Sequence, residues 1–218
     1  MQNITLVCTH HSELGKCNSD ELYKIIESIE PEIIFEELTK DLFDMFYTEN
    51  KIPFETPEIK AVRRYIKNYT ANHAPVDINV NSTLPTNEIH FMFNTLKKYT
   101  VYSKLEETQK RLMFQEGYGF LNSKKCEELF EEKKSIEKNI IEYQINKNRL
   151  SRIHELFYEE QHKREDEIIK NIHSYSDKMV YKQGLLLLGS GHRKTIFEKI
   201  KKYESGNHVK LNWALYGN

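Results

Sequence analysis

Four consecutive leucines, Leu185 to Leu188, stand between Gly184 and Gly189 and run straight into Ser190-Gly191-His192. A run this short cannot cross a bilayer, which takes about 20 apolar residues. Its side chains are apolar on both faces, so it predicts a central strand of a parallel sheet covered on each side by helices. Two runs near the start repeat the pattern. Asn3 to Val7 leads into Cys8-Thr9-His10-His11, and Ile33-Ile34-Phe35 leads into Glu36-Glu37. Between them, Ser19-Asp20 can cap a helix with Leu22, Ile25, Ile26 and Ile29 at helical spacing. The first segment is therefore a βαβ unit, and its parallel strands put both carboxyl ends on one edge of the sheet.

Farther along, Pro57 to Tyr69 predicts a helix with Pro57 in its first turn, and Val76 to Val80 predicts a strand. Residues 84–176 are rich in Lys, Glu, Ile and Tyr, with Gly only at Gly117 and Gly119 and no Pro after Pro85. That composition predicts long helices broken at Gly117-Tyr118-Gly119. Leu129, Ile136, Ile140, Tyr143, Leu150 and Phe157 form an apolar seam interrupted by Lys133 and Lys147, which points to a helical hairpin packed on its neighbours. A helix over Lys194 to Tyr203 and a closing strand from Val209 to Tyr216 complete the reading. The expected fold class is α/β: a central, mostly parallel sheet flanked by helices, with a long helical insertion between the N- and C-terminal strands. One domain spans 1–218, and residues 84–176 are the insertion, which offers a lid, a partner surface or a homodimer contact.

A net charge of −1 with 30% charged residues gives a solvated surface without a field that would draw nucleic acid or anionic lipid. No nucleic-acid or membrane partner is expected. The opening MQNITLVCTH lacks the basic and long apolar parts of a signal peptide, so a cytoplasmic location is expected. Three scattered cysteines support neither a disulfide framework nor a cysteine zinc site.

Chemistry is expected where the apolar strands end. His11, Glu37 and His192 are the candidate catalytic groups, with His10, Glu36, Gly189 and Gly191 as candidate substrate contacts. The same His11, Glu37 and His192 are the candidate ligands for a divalent metal, either Mn, Zn or Co. Without metal, a histidine held by a carboxylate can take a proton from water while the second steadies an oxyanion. A small-molecule or peptide substrate suits either version. Two further readings come from other classes: haem or small-ligand binding through histidines and Tyr181, and anion binding by Gly189-Ser190-Gly191 ahead of Lys194-Thr195. The second departs from the P-loop pattern, because Arg193 stands where a glycine is required.

The motifs Cys8-Thr9-His10-His11, Pro31 to Leu38, and Leu188-Gly189-Ser190-Gly191-His192 resemble the superfamily of TraB/Tiki proteins, erythromycin-esterase-like hydrolases and ChaN-like haem-binding proteins. In that family a strand runs into G-x-x-H, a second into Glu, and a late strand into G-x-G-H. The resemblance selects His11 over His10 and Glu37 over Glu36. It adds Glu58, from Glu58-Ile59-Lys60-Ala61, as a substrate-binding residue, with an Asp near a strand end that matches Asp77. Arg164, opening Arg164-Glu165-Asp166-Glu167-Ile168-Ile169-Lys170-Asn171, resembles the esterase-type R-D-x-x-M-A-x-N helix and would act as an electrostatic clamp in the active site. The implied activity is hydrolysis of ester or peptide bonds. Cys8 departs from the family's glycine, and residues 85–155 carry no resemblance.

Overall fold

A computed structural model describes residues 1–49, 54–80, 84–206 and 210–217. In chain order the elements are β1 (Asn3–Thr9), α1 (Ser19–Ile29), β2 (Ile33–Glu36), α2 (Lys40–Tyr47), α3 (Pro57–Asn68) and β3 (Asn72–Pro75). The helical region follows as α4 (Thr86–Leu96), α5 (Thr100–Glu116), α6 (Tyr118–Leu121), α7 (Lys124–Glu142) and α8 (Lys147–Ser176). Then come β4 (Gln183–Gly189), a short 3₁₀ turn (Ser190–His192), α9 (Arg193–Gly206) and β5 (Asn212–Leu215). Among the described residues no helix is long and apolar enough to cross a membrane.

The fold is α/β. Five strands pair in the order β3-β2-β4-β1-β5, and every pairing is parallel. Leu185 to Leu188 are at most 2% exposed, as the run of leucines requires in a central strand. Because β4 lies between β1 and β2, the residues that follow these three strands are neighbours along one rim. The register tightens this: Thr9 sits opposite Gly189, and Glu36 opposite Leu187. β5 pairs with β1 only from Asn3 to Leu6. Beyond it, the Asn122 side chain takes the place of a strand, accepting from Cys8 N at 2.8 Å and donating to Cys8 O at 3.0 Å.

The third strand departs from expectation. It covers Asn72–Pro75, not Val76 to Val80. Apolar alternation favours the later segment, but pairing with β2 prevails: Asn72 N donates to Glu32 O, and Val76 N to Glu36 O closes the ladder. As an edge strand, β3 tolerates a proline at its end. The shift leaves Asp77 just past the strand, on the rim. The closing strand begins at Asn212; Val209, its expected start, lies outside the described residues.

Two apolar clusters organise the helices. The sheet core takes in Leu112, Met113 and Phe120, Cys126 and Leu129, and Ile168, Ile169 and Ile172. The second joins Leu84, Met92, Leu96, Tyr102, Ile140, Ile141, Leu150 and Ile153. Within the expected seam, Leu129 belongs to the first cluster and Ile140 and Leu150 to the second, while Tyr143 is 88% exposed because α7 stops at Glu142. The break at Gly117 has a steric cause: φ is +62°, and a Cβ there would come within 2.7 Å of the Lys16 backbone.

Candidate active site

Three of the sequence-derived residues meet over Gly189. A Cβ on this residue would lie 3.3 Å from Glu37 Oε2, 3.7 Å from His11 Nε2 and 3.7 Å from His192 Cδ2. The bare backbone at the end of β4 thus forms the floor of the site, and Gly189 N donates to Glu37 Oε2 at 2.6 Å. Replacing Gly189 by alanine is expected to leave the fold intact, since φ is −53° and ψ 134°. It would displace Glu37 Oε2 by a few tenths of an ångström, set a methyl group in contact with both histidines and lower turnover by about 10-fold or more. Thermal unfolding beside steady-state kinetics separates these effects; unchanged kinetics would remove Gly189 from the site.

Each histidine is fixed through Nδ1 by a buried glutamate. His11 Nδ1 is 3.0 Å from Glu58 Oε1, and Glu58 stands in the first turn of α3, where a carboxylate is favoured by the helix dipole. The hydrogen bond to Glu58 raises the His11 pKa to about 9. The His11 side chain is 60% exposed, so water screens part of this attraction. Burial works against the Glu58 carboxylate, yet the bond and charge of His11 hold it below its usual range. The stability from this pair is therefore present below the ordinary histidine value of 6.5 and lost as pH rises through about 9. A proton NMR titration should show that raised value for His11 and its return towards 6.5 in Glu58→Gln. A normal titration in the parent chain would contradict the pairing.

His192 Nδ1 lies 2.8 Å from Glu165 Oε1, and its Nε2 is 3.6 Å from Glu37 Oε1. Burial opposes the Glu165 charge, but hydrogen bonds from His192, Thr195 and His162 outweigh it and hold the carboxyl at about 2. An ionised Glu165 can only accept, so Nδ1 donates to it, and the lone pair of an uncharged imidazole in this setting lies on Nε2. The motif that opens at Arg164 contains Glu165 without giving it a role. Its signal is its spacing: with Ile168, Ile169 and Ile172 it occupies the apolar stripe of α8, a place a glutamate rarely takes unless paired.

Arg164, one residue earlier and so turned about 100° around the helix, reaches the opposite side. Its Nη2 donates to Glu37 Oε1 at 2.6 Å and to Asp77 Oδ2 at 2.6 Å, while Nε meets Asp77 at 3.1 Å. Asn171 Nδ2 donates to Val76 O at 2.9 Å, pinning the same helix to the chain that presents Asp77.

The remaining expected residues occupy other places. Glu36 is buried, bonded by Tyr47 at 2.6 Å and His73 at 2.8 Å, and burial pushes its carboxyl up against those bonds. Glu36, Glu37, Glu58 and His11 line a cavity of about 240 Å³ whose apolar wall includes Leu38, Leu42, Phe46 and Ile59. His10 turns back on its own loop, accepting from Ser12 N at 3.2 Å. Gly191 lies against the Phe130 ring and borders a second cavity, of about 390 Å³, shared with His192 and Glu165. Cys8 is fully buried, and burial pushes its thiol far above the ordinary value. Tyr181 packs on Phe35 and bonds Ser176 at 2.6 Å, just before β4 begins and so at the opposite end of the sheet from the rim. At the start of α9, Lys194 is committed to Glu131, Thr195 to Glu165 and Arg193 to Glu127.

The His11, Glu37 and His192 set does not fit a divalent ion as a ligand triad. Both Glu37 oxygens are engaged, one by a guanidinium that would stand beside the incoming cation. Among the described residues no three His, Cys, Asp or Glu side chains are grouped to hold a metal. Compared with protein families, with curated proteins and with solved structures, the chain shows no match.

Proposed function

We propose that this chain hydrolyses ester or amide bonds by histidine acid–base catalysis. One observation carries the reading: two histidines, each fixed through Nδ1 by a buried glutamate, approach one glycine floor at the carboxyl rim of the sheet. His192 takes a proton from water through Nε2 as the water oxygen bonds to the substrate carbonyl carbon. The carbonyl π pair moves onto oxygen, where the positive charge of His11 stabilises it. As the tetrahedral centre collapses, the bond to the leaving group breaks, and that group receives a proton from His11. Transfer of a proton from His192 to His11, directly or through water, restores both. Glu37 and Arg164 set the distance between the two halves and do not exchange protons. The resemblance to the erythromycin-esterase-like branch of the TraB/Tiki and ChaN-like superfamily agrees with this chemistry.

The test is turnover of a panel of aryl and alkyl esters and aryl amides by the purified protein, with and without a chelator. Hydrolysis unaffected by chelation is the expected result. Its rate should fall as pH rises through about 9, where His11 loses its proton. Activity abolished by chelation and restored by Zn, Mn or Co would return the metal-dependent version. A Soret band on adding haem, lost in His11→Ala, with no turnover of any ester, would favour the haem-binding reading instead.

A further inference from the structure

We infer that the 390 Å³ cavity beneath the helical region binds an organic anion, a carboxylate carried on a flat apolar body, as one end of the substrate. The inference rests on the hydrolase reading only in naming this ligand a substrate part. The cavity runs from His192, Glu165 and Thr195 at the sheet rim up between α5, α7 and α8, and its size falls in the range of small-molecule sites. Phe93, Phe130 and Phe157 supply its apolar surface.

The polar groups of the wall decide the sign of the ligand. Every glutamate there is already bound by the protein. Glu137, 2% exposed, accepts from Tyr158 at 2.8 Å, His154 at 3.1 Å and Tyr102 at 3.2 Å. Glu165 is taken by His192, Thr195 and His162, Glu106 by Lys133, and Glu131 by Lys194. The donors are not used up. Lys133 is buried and gives two of its three protons, to Glu106 and Gln109. Lys134, 4.3 Å from the centre of the Tyr158 ring, and Lys97 pair with no carboxylate among the described residues. Gln161 accepts from Arg164 through Oε1, and its side-chain nitrogen has no hydrogen-bond partner among the described residues. A wall whose carboxylates each already hold a protein donor, and whose lysine ammonium groups keep unspent protons, recognises an acceptor-rich, negatively charged group. The phenyl rings beside it suit a flat hydrocarbon body.

Calorimetric titration with three probes of one shape tests this: 2-naphthoate, 2-naphthalenemethanol and 2-naphthylmethylamine. The expected order is naphthoate tightest by about tenfold over the alcohol, with the amine weakest. Lys134→Gln should erase most of the preference for naphthoate. Gly191→Leu, which extends a side chain towards Phe130 inside the cavity, should abolish binding while unfolding stays cooperative. Equal affinity for the three probes, or binding indifferent to both substitutions, would overturn the assignment. Failure of the hydrolase reading would be seen separately, as naphthoate binding without turnover of any ester.

Discussion

His192→Gln is expected to lower kcat for ester hydrolysis by about 10²–10⁴-fold with little change in KM, the loss typical of removing a positioned acid–base group. Glutamine reaches the place of ring Nε2 with an amide that is not basic and keeps the side chain polar, while the Nδ1 donor to Glu165 is lost with the ring. What disappears for catalysis is the basic Nε2 lone pair 3.6 Å from Glu37 Oε1. Burst-free steady-state kinetics and an unfolding curve on the same preparation check it. A glutamine variant that keeps the parent kcat would eliminate His192 as the base. Glu165→Gln provides the companion measurement. It removes the charge that fixes the His192 tautomer while keeping the shape, so its loss should be real but smaller, and it should move the pH profile.

Arg164→Met is the second large effect, and it falls on stability. Arg164 is one cation between two carboxylates, with Glu37 and Asp77 side chains each 7% exposed. Methionine fills much of the volume and leaves both anions buried without their partner, a loss of about 3–5 kcal/mol. Chemical denaturation at neutral pH reads it. Adding Asp77→Asn and Glu37→Gln to the same chain should recover a large part of the loss, because the penalty comes from the stranded charges. If the triple variant is no more stable than Arg164→Met alone, the guanidinium is acting through packing of its stem instead.

The apolar runs made the sheet legible, because a short stretch that is apolar on every side suits a strand covered on both faces and is too brief for a buried helix. They also made legible the convergence of His11, Glu37 and His192, since parallel strands share a carboxyl edge. β3 lies earlier than alternation predicts for a physical reason: Val76, Ile78 and Val80 alternate well, but pairing with β2 outweighs alternation in a strand as short as Asn72–Pro75. The groups that hold the histidines are less legible. Only the family resemblance points to Glu58, and the heavily charged surface of α8 hides Glu165. Both belong to a detectable class, charged residues on an apolar helix stripe. Lys133 and Glu137 on α7, spaced with Leu129 and Ile140, belong to it as well. The interruption of the α7 seam at Lys133 is therefore the sign of a lined cavity and not of a weakened hairpin.

The strand order carries a cost in time. β1 and β2 leave the ribosome early, yet neither touches the other in the sheet, since each pairs with β4, where Asn3 meets Gln183 and Ile33 meets Gly184. Until the whole helical region has been made, both stand as bare apolar edges, the condition under which nascent chains associate wrongly. Closure is a long-range event, so slow folding is expected on topological grounds alone. The same step lays Gly189 beneath Glu37 and brings up His192. The strand that enters the gap joins the two halves of the sheet and assembles the candidate site together, and a chain stalled before it has neither.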